Sequence, residues 1–429
     1  MKQPILTLVF LGFTTILSAQ TAREEIENNV HCSASDLFAY PGPMQVRLTP
    51  APDGKKPFYI SHYGSHGSHY LKDRKDYRMP IDVMAKADST GMLTELGRDV
   101  LRRLRLIGDE AEGRFGELTK LGAQQHRQIA QRMVERFPEV FEGSVVVDAK
   151  STVVIPCILS MENALQKLVA MRPALLIRHD ASRHDMWYMN QYEKKMCIMK
   201  KDSSARAFYQ AYAKKYNCGD KLMSKLFTDQ QFVSQEVDVE KLAQAIFMLT
   251  SNVQNTELRK KLSLYDIFSD EELYNYWKKC NTSWFVNSGF CLLGDGMQPY
   301  SQRNLLRQLI QDADSCIALA KPGATLRFGH SSMVAPFATL LDLNGIGFKT
   351  DNLDVIEKKG WRNYKIFPVA ANIQFVFYRE NPDDKDVLVK VLLNENEARL
   401  PLKSETEPYY KWSEVRDYYL KRLAEYHGE

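Results

Sequence analysis

Two short apolar runs near opposite ends of the chain, Phe58-Tyr59-Ile60 and Ala324-Thr325-Leu326-Arg327-Phe328, each read as a strand ending in a glycine-containing loop that carries a histidine. The first runs into Tyr63 to Ser68, with Ser65-His66-Gly67-Ser68-His69-Tyr70 at its centre; the second ends at Gly329-His330. A strand feeding a glycine loop ahead of a helix is how α/β folds set functional groups at the carboxyl ends of strands. A lone histidine is more often structural than chemical. Two in matching contexts make His66 and His330 candidate catalytic residues.

The rest of the chain sorts into three stretches. Residues 23–57 read as irregular, with Pro41, Gly42, Pro43, Pro52 and Gly54. Helical spacing then recurs at Leu93, Leu96, Val100, Leu104 and Ile107, at Ile129, Met133 and Phe137, and at Met161, Leu165, Leu168 and Val169, with a buried-strand candidate at Ser144 to Asp148. From 183 to 320 the chain is rich in Lys, Tyr, Met and Gln. It carries helical stripes at Leu242, Ala245, Ile246 and Leu249 and at Leu305, Leu306, Leu309 and Ile310, so it reads as an α-helical insertion. Strand patterns return at Ile373 to Tyr378 and Val387 to Val391, and Ser413 is placed to cap a last helix through Val415, Tyr419, Leu423 and Tyr426. This predicts an α/β core of residues 23–182 and 321–429, with a mostly parallel sheet, helices on both faces and an inserted helical cap at 183–320. The pocket is expected between core and cap, near His66 and His330.

At the N-terminus, Lys2 precedes an apolar run from Ile5 to Leu17 and then Ser18-Ala19-Gln20-Thr21-Ala22, so residues 1–22 read as a secretory signal peptide. The run is short for a membrane span and no later run reaches that length; a periplasmic or secreted protein with no transmembrane segment after signal removal is expected. No Cys follows the run, which argues against a lipid anchor. A net charge of only +4, from 57 basic and 53 acidic residues, with no long run of one sign, gives no reason to expect nucleic acid or an anionic membrane as partner. The seven cysteines form no C-x-x-C pair; Cys280 and Cys291 are spaced to close a local loop, and a zinc–thiolate site has no support.

Several segments resemble one family. They are Ser65 to Tyr70, Gly116-Glu117-Leu118-Thr119 with Gly122, Ser151-Thr152-Val153-Val154, His179-Asp180-Ala181-Ser182, Arg327-Phe328-Gly329-His330, and Asn394-Glu395-Asn396-Glu397 with Leu400-Pro401. In these the chain resembles the histidine acid phosphatases, and among them bacterial relatives of multiple inositol polyphosphate phosphatase, a phytate-degrading group. The resemblance spans nearly the whole mature chain. It implies the phosphoglycerate-mutase-like histidine-phosphatase core and no metal or other cofactor. It also implies a chemistry. A neutral histidine attacks a phosphate monoester to give a phosphohistidine, arginines clamp the phosphoryl oxygens, a second histidine adds charge, and a carboxylic acid protonates the leaving alcohol.

Carried over by position, His66 is the nucleophile and His330 the second phosphate-contacting histidine. The family signature Arg-His-Gly-x-Arg is altered here. Its two arginine positions hold Ser65 and His69, a third arginine position holds Pro156, and the acid's position is filled by Ser331 and Ser332. Ser65, Ser68, His69, Ser331 and Ser332 are thereby the candidate ligand-contacting residues, with His69 expected to gain charge below about pH 6.5. His126 and His179 are expected to be structural, and Asp180 to help hold the pocket.

Loss of one charge-stabilising arginine costs roughly 10³–10⁵ in phosphoryl-transfer rate. Loss of a general acid costs roughly 10²–10⁴, and such losses are not multiplicative. The expectation is a pseudophosphatase that binds a small molecule, an inositol phosphate or another phosphate monoester, with weak or no turnover. One alternative is an active acid phosphatase working through His66 with charge relocated from a lysine, Arg327 or an arginine of the insertion. Another is a metal site of His62, His66, His69 and His330. A serine hydrolase lacks its G-x-S-x-G elbow, and no P-loop is present.

Overall fold

The computed structural model describes residues 20–190 and 202–427. Most of the expected signal peptide lies outside the described residues. Thr21 and Ala22, assigned to that leader by sequence, take part in the fold: Thr21 and Glu24 form a capping box on helix α1 (Ala22–Asn28), whose Ala22 and Ile26 are buried. Residues 23–57, expected to be irregular, hold α1 and a 3-10 segment, Val30–Leu37. Elements this short show too few turns for a period to register.

One sheet organises the molecule. Its strands are β1 (Lys56–Ser65), β2 (Val146–Ser151), β3 (Leu176–Asp180), β5 (Gly323–Gly329), β7 (Asn372–Arg379), β8 (Leu388–Leu393), β9 (Asn396–Ala398) and β10 (Tyr410–Lys411); β4 (Phe290–Cys291) and β6 (Lys349–Thr350) form a separate small ribbon. The order is β10-β8-β7-β1-β5-β2-β3, with β9 on β8. β1, β5, β2 and β3 are parallel neighbours, and β8 runs the same way; β7, β9 and β10 run opposite. The fold is therefore the expected α/β core, with its parallel half carrying both histidine loops. Strand β1 continues well past Ile60 to Ser65 and is buried almost throughout. A strand covered on both faces loses the polar alternation that would have marked its end.

Each face is closed by helices. On one, α4 (Lys120–Arg136) and α5 (Ile155–Met171) bury Met133, Val134, Met161, Leu165 and Leu168 against Ile60, Val147, Leu326 and Phe328. On the other, helices Arg303–Ile317, Ser331–Leu340 and Trp412–Ala424 set Leu305, Leu309, Val334, Phe337 and Tyr419 against Tyr59, Tyr63, Phe375 and Phe377. A third cluster joins α2 (Arg74–Ser89) and α3 (Glu95–Ala111) to Leu222, Ile246, Leu249 and Trp277. The described part of 183–320 is mainly helical, and its last helix, Arg303–Ile317, lies directly on the sheet.

Two local expectations are corrected. The last helix begins at Trp412 with Lys411 as its cap residue, because β10 runs straight into it; Ser413 sits inside the first turn. Cys280 and Cys291 are free thiols, Cys280 against Ser35 and Asp36 and Cys291 buried in β4, so they close no loop. Among the described residues no helix is long and apolar enough to cross a membrane.

Candidate functional site

Parallel pairing of β1 with β5 sets Ser65 opposite Gly329, so His66 and His330 leave the sheet side by side. The His66 amide donates to the Gly329 carbonyl at 2.9 Å, and the His66 carbonyl accepts from the Ala370 amide at 3.1 Å. Ala370 reaches that position in a left-handed conformation, φ 64°, which costs a non-glycine residue about 1 kcal/mol. The His66 ring lies edge-on to His69, centroids 4.5 Å apart, and to His330 at 5.7 Å.

The loop after His66 is clasped from every side. A Cβ at Gly67 would come within 2.6 Å of the Gly122 Cα, and one at Gly122 within 2.3 Å of the Ser68 carbonyl, so only glycines permit this approach to α4. Thr119, the cap of α4, donates from both its amide (2.8 Å) and its hydroxyl (3.0 Å) to the Ser68 carbonyl. Gln125 accepts from the Ser68 amide at 2.9 Å and Ser160 from the Gly67 amide at 3.1 Å. The Ser68 hydroxyl donates to Asn255 Oδ1 at 2.7 Å.

These bonds decide the chemistry of His66. Its Nδ1 lies 3.1 Å from the Gly67 carbonyl, which only accepts, so Nδ1 carries the proton and Nε2 keeps a free lone pair. Burial holds its pKa below the ordinary histidine value, against an opposing pull from that carbonyl. His330 Nε2 is 3.2 Å from the Thr152 hydroxyl. Its pKa is pushed down to about 4 by burial, by His66 and by the charge of Lys72. Cys157 lies 3.9 Å from His330 and donates to the Gly329 carbonyl at 3.1 Å; burial pushes its thiol up to about 12.

Several expectations for individual residues change. Burial and His66 push His69 down to about 3, so it does not become cationic near pH 6.5. Ser65 and Ser68 are fully buried with their hydroxyls turned to Ala371 and Asn255, which takes them away from a ligand. Ser331 is half-buried and Ser332 exposed, in the first turn of a helix whose N-terminus has no side-chain cap. Arg327 is no relocated clamp. It is completely buried on the opposite face of the sheet, paired with Asp312 and bonded to the Ser61 hydroxyl at 3.0 Å. His62 is buried against Phe328 with its Nδ1 unpartnered, and among the described residues no three His, Cys, Asp or Glu side chains gather as a metal site. His126 packs on Phe328 and holds the Ser65 backbone, while His179 binds Glu162 at 2.8 Å on the exposed β3 edge, where Asp180 is also exposed.

Residues not singled out from sequence complete the arrangement: Thr152 and Cys157 at His330, Ser160 and Gln125 under the loop, Asn255 from a helical region, and Lys72. Thr152 lies within a family-like segment. Asn255 has no local signal, because its partner Ser68 is 187 positions away.

The fold is that of the histidine acid phosphatases. It superposes on the multiple inositol polyphosphate phosphatase of Bifidobacterium longum in complex with inositol hexasulfate, with TM-score 0.74 and 16% identity over 90% of this chain and 96% of that one. The same enzyme in complex with phosphate gives TM-score 0.73 at 16% identity, over 90% and 97% of the two chains. The phytase from D. castellii gives TM-score 0.70 at 13% identity, over 97% of this chain and 90% of that one. By sequence, no family model matches the chain and no curated protein is significantly similar to it.

Proposed function

We propose that this chain is a histidine-phosphatase-fold protein that holds a phosphate monoester beside His66 and His330 and hydrolyses it weakly or not at all. The observation that carries this reading is the electrostatic setting of His66. Its Nδ1 is turned to the Gly67 carbonyl, which leaves Nε2 its lone pair; among the described residues no Arg or Lys side chain is hydrogen-bonded to the ring, and the His69 and His330 rings beside it are held neutral by burial. Charge developing on a transferring phosphoryl group would meet dipoles and neutral rings where arginines act in the family's chemistry. Ser331 and Ser332, at an open helix N-terminus, offer hydrogen bonds to phosphate oxygens but no carboxylic acid for the leaving alcohol. An inositol phosphate is one such monoester, in keeping with the inositol hexasulfate and phosphate complexes of the bifidobacterial enzyme. The same reading places the protein outside the cytoplasm after removal of its leader, with the helices of 183–320 as a cap over the pocket.

Steady-state assay of the full mature chain with phytate and with 4-nitrophenyl phosphate between pH 3 and 8 tests this. Rates at least about 10³ below those of an arginine-bearing relative are expected; rates within about tenfold of it would sink the proposal. Lys72 favours a second reading, residual turnover, because its charge reaches His330. In that case Lys72→Met removes most of the remaining rate.

A further inference from the structure

Parallel pairing of β2 with β5 sets Ser151 beside Phe328, so Thr152 leaves the sheet next to the strand end that carries His330. Its backbone is fixed on both sides. The amide donates to the Phe328 carbonyl at 3.0 Å, and the carbonyl accepts from the Ser151 hydroxyl at 2.9 Å. Thr152 is fully buried, and its hydroxyl oxygen lies 3.2 Å from His330 Nε2. Cys157, also fully buried, stands 3.9 Å from both ring nitrogens of His330. Equal distances of that length single out neither nitrogen, and the thiol hydrogen already goes to the Gly329 carbonyl at 3.1 Å.

A buried hydroxyl has to give its hydrogen to an acceptor, because one left over has no water to take it. Within reach of Thr152 are His330 Nε2 and the Cys157 sulfur, and sulfur is the weaker acceptor. Burial, then His66 and Lys72, push the His330 pKa down to about 4, so near neutral pH the ring has a single proton to place. With the Thr152 hydroxyl donating, Nε2 holds the lone pair and that proton sits on Nδ1.

We infer that Thr152 is a positioning residue that fixes the tautomer of His330, so that this ring meets a phosphate ligand as a hydrogen-bond donor through Nδ1. His66 is the reverse case: its Nδ1 is turned to the Gly67 carbonyl, and Nε2 keeps the lone pair. The two rings, edge-on with centroids 5.7 Å apart, then offer a phosphoryl group one nucleophilic nitrogen and one donor. This deepens the proposed function and rests on its reading of the pocket as a phosphate monoester site.

Histidine-selective ¹⁵N labelling of the full mature chain reads the tautomer without any ligand, with His330 assigned by the signals lost in His330→Asn. At about pH 7.5, above the ordinary histidine range, His330 is expected to carry its proton on Nδ1. Thr152→Val should give a mixture or the opposite tautomer, and Thr152→Ser should restore the parent pattern. Inorganic phosphate, titrated calorimetrically, should bind Thr152→Val about tenfold more weakly than the parent and Thr152→Ser within about twofold of it. A protonated Nε2 in the parent, or the parent tautomer persisting in Thr152→Val, would overturn the positioning role while leaving the phosphate pocket standing. No phosphate binding by the parent would overturn the phosphate reading and the donor role with it, whatever tautomer the spectrum shows.

Discussion

The loop after β1 and the turn that opens α5 meet beside His66 and His330 and are built in opposite ways. In the loop, Gly67 and Gly122 pass in near contact, Thr119, Gln125 and Ser160 take up the backbone polar groups, and Asn255 ties down Ser68. Among the described residues this leaves the His66 ring, whose tautomer is already chosen, and the His69 ring, whose Nδ1 has no partner. The α5 turn is fastened only at its two ends, at Thr152 and Ser160, and its middle faces outward with apolar side chains. The difference separates two properties usually found together at a phosphoryl-transfer site: a positioned nucleophile and a positive surround. Under the proposed function, the frame keeps the positioning, while among the described residues the rings of His69 and His330 beside His66 are held neutral by burial.

The frame itself is the place where the contrast breaks most completely. Arg327 ties β5 to helix Arg303–Ile317 through Asp312, and to β1 through Ser61. Arg327→Met removes the buried guanidinium that bonds Asp312 and Ser61, leaving Asp312 to Gln308, and should cost about 3 kcal/mol, read from urea unfolding. An unchanged midpoint would show that the pair holds nothing in place.

Acid comes next. His62 and His126 are buried, and burial first, then neighbouring charge, pushes each down to about 3. An unfolded chain takes up these protons near pH 6.5, whereas the folded one refuses them until about pH 3, so stability falls as pH drops below 6.5. At pH 5 the two together should cost about 4 kcal/mol. Scanning calorimetry from pH 7.5 to 5 should show Tm falling steadily, and His62→Phe should flatten the slope; a flat Tm in the parent would contradict the buried neutral imidazoles.

Returning charge to the rim sharpens the contrast instead. The double substitution His69→Arg with Pro156→Arg should raise kcat/KM for 4-nitrophenyl phosphate by about a hundredfold or more, since positioning at His66 is already in place. No gain would mean that the frame, not the missing charge, limits turnover. The smallest effect is expected at the clasp. Asn255→Ala leaves the Ser68 hydroxyl buried without its acceptor and should cost about 1–2 kcal/mol, measured by chemical denaturation, with faster amide exchange across Gly67 to Tyr70.

Sequence by itself determined the strands at Phe58 and Ala324, the loops that follow them, and the pairing of His66 with His330, because apolar runs and glycine loops are local signals and the matching motifs lie in short stretches. The family resemblance also pointed to positions 65, 69, 156, 331 and 332 as those where the family's charged groups are expected and this chain has Ser, His, Pro, Ser and Ser. Which way those side chains face was decided by tertiary structure alone. Ser65 and Ser68 read as pocket serines until the β7 side and Asn255 claim them; Arg327 reads as a nearby cation until Asp312 holds it on the far face. Neutral His69 is likewise a consequence of burial beside another imidazole, which no spacing in the chain reveals. Direction across a sheet and depth below a surface come from contacts between residues far apart in the chain. For that reason the two histidine loops were legible in sequence, while the residues that frame them and the protonation of their rings were not.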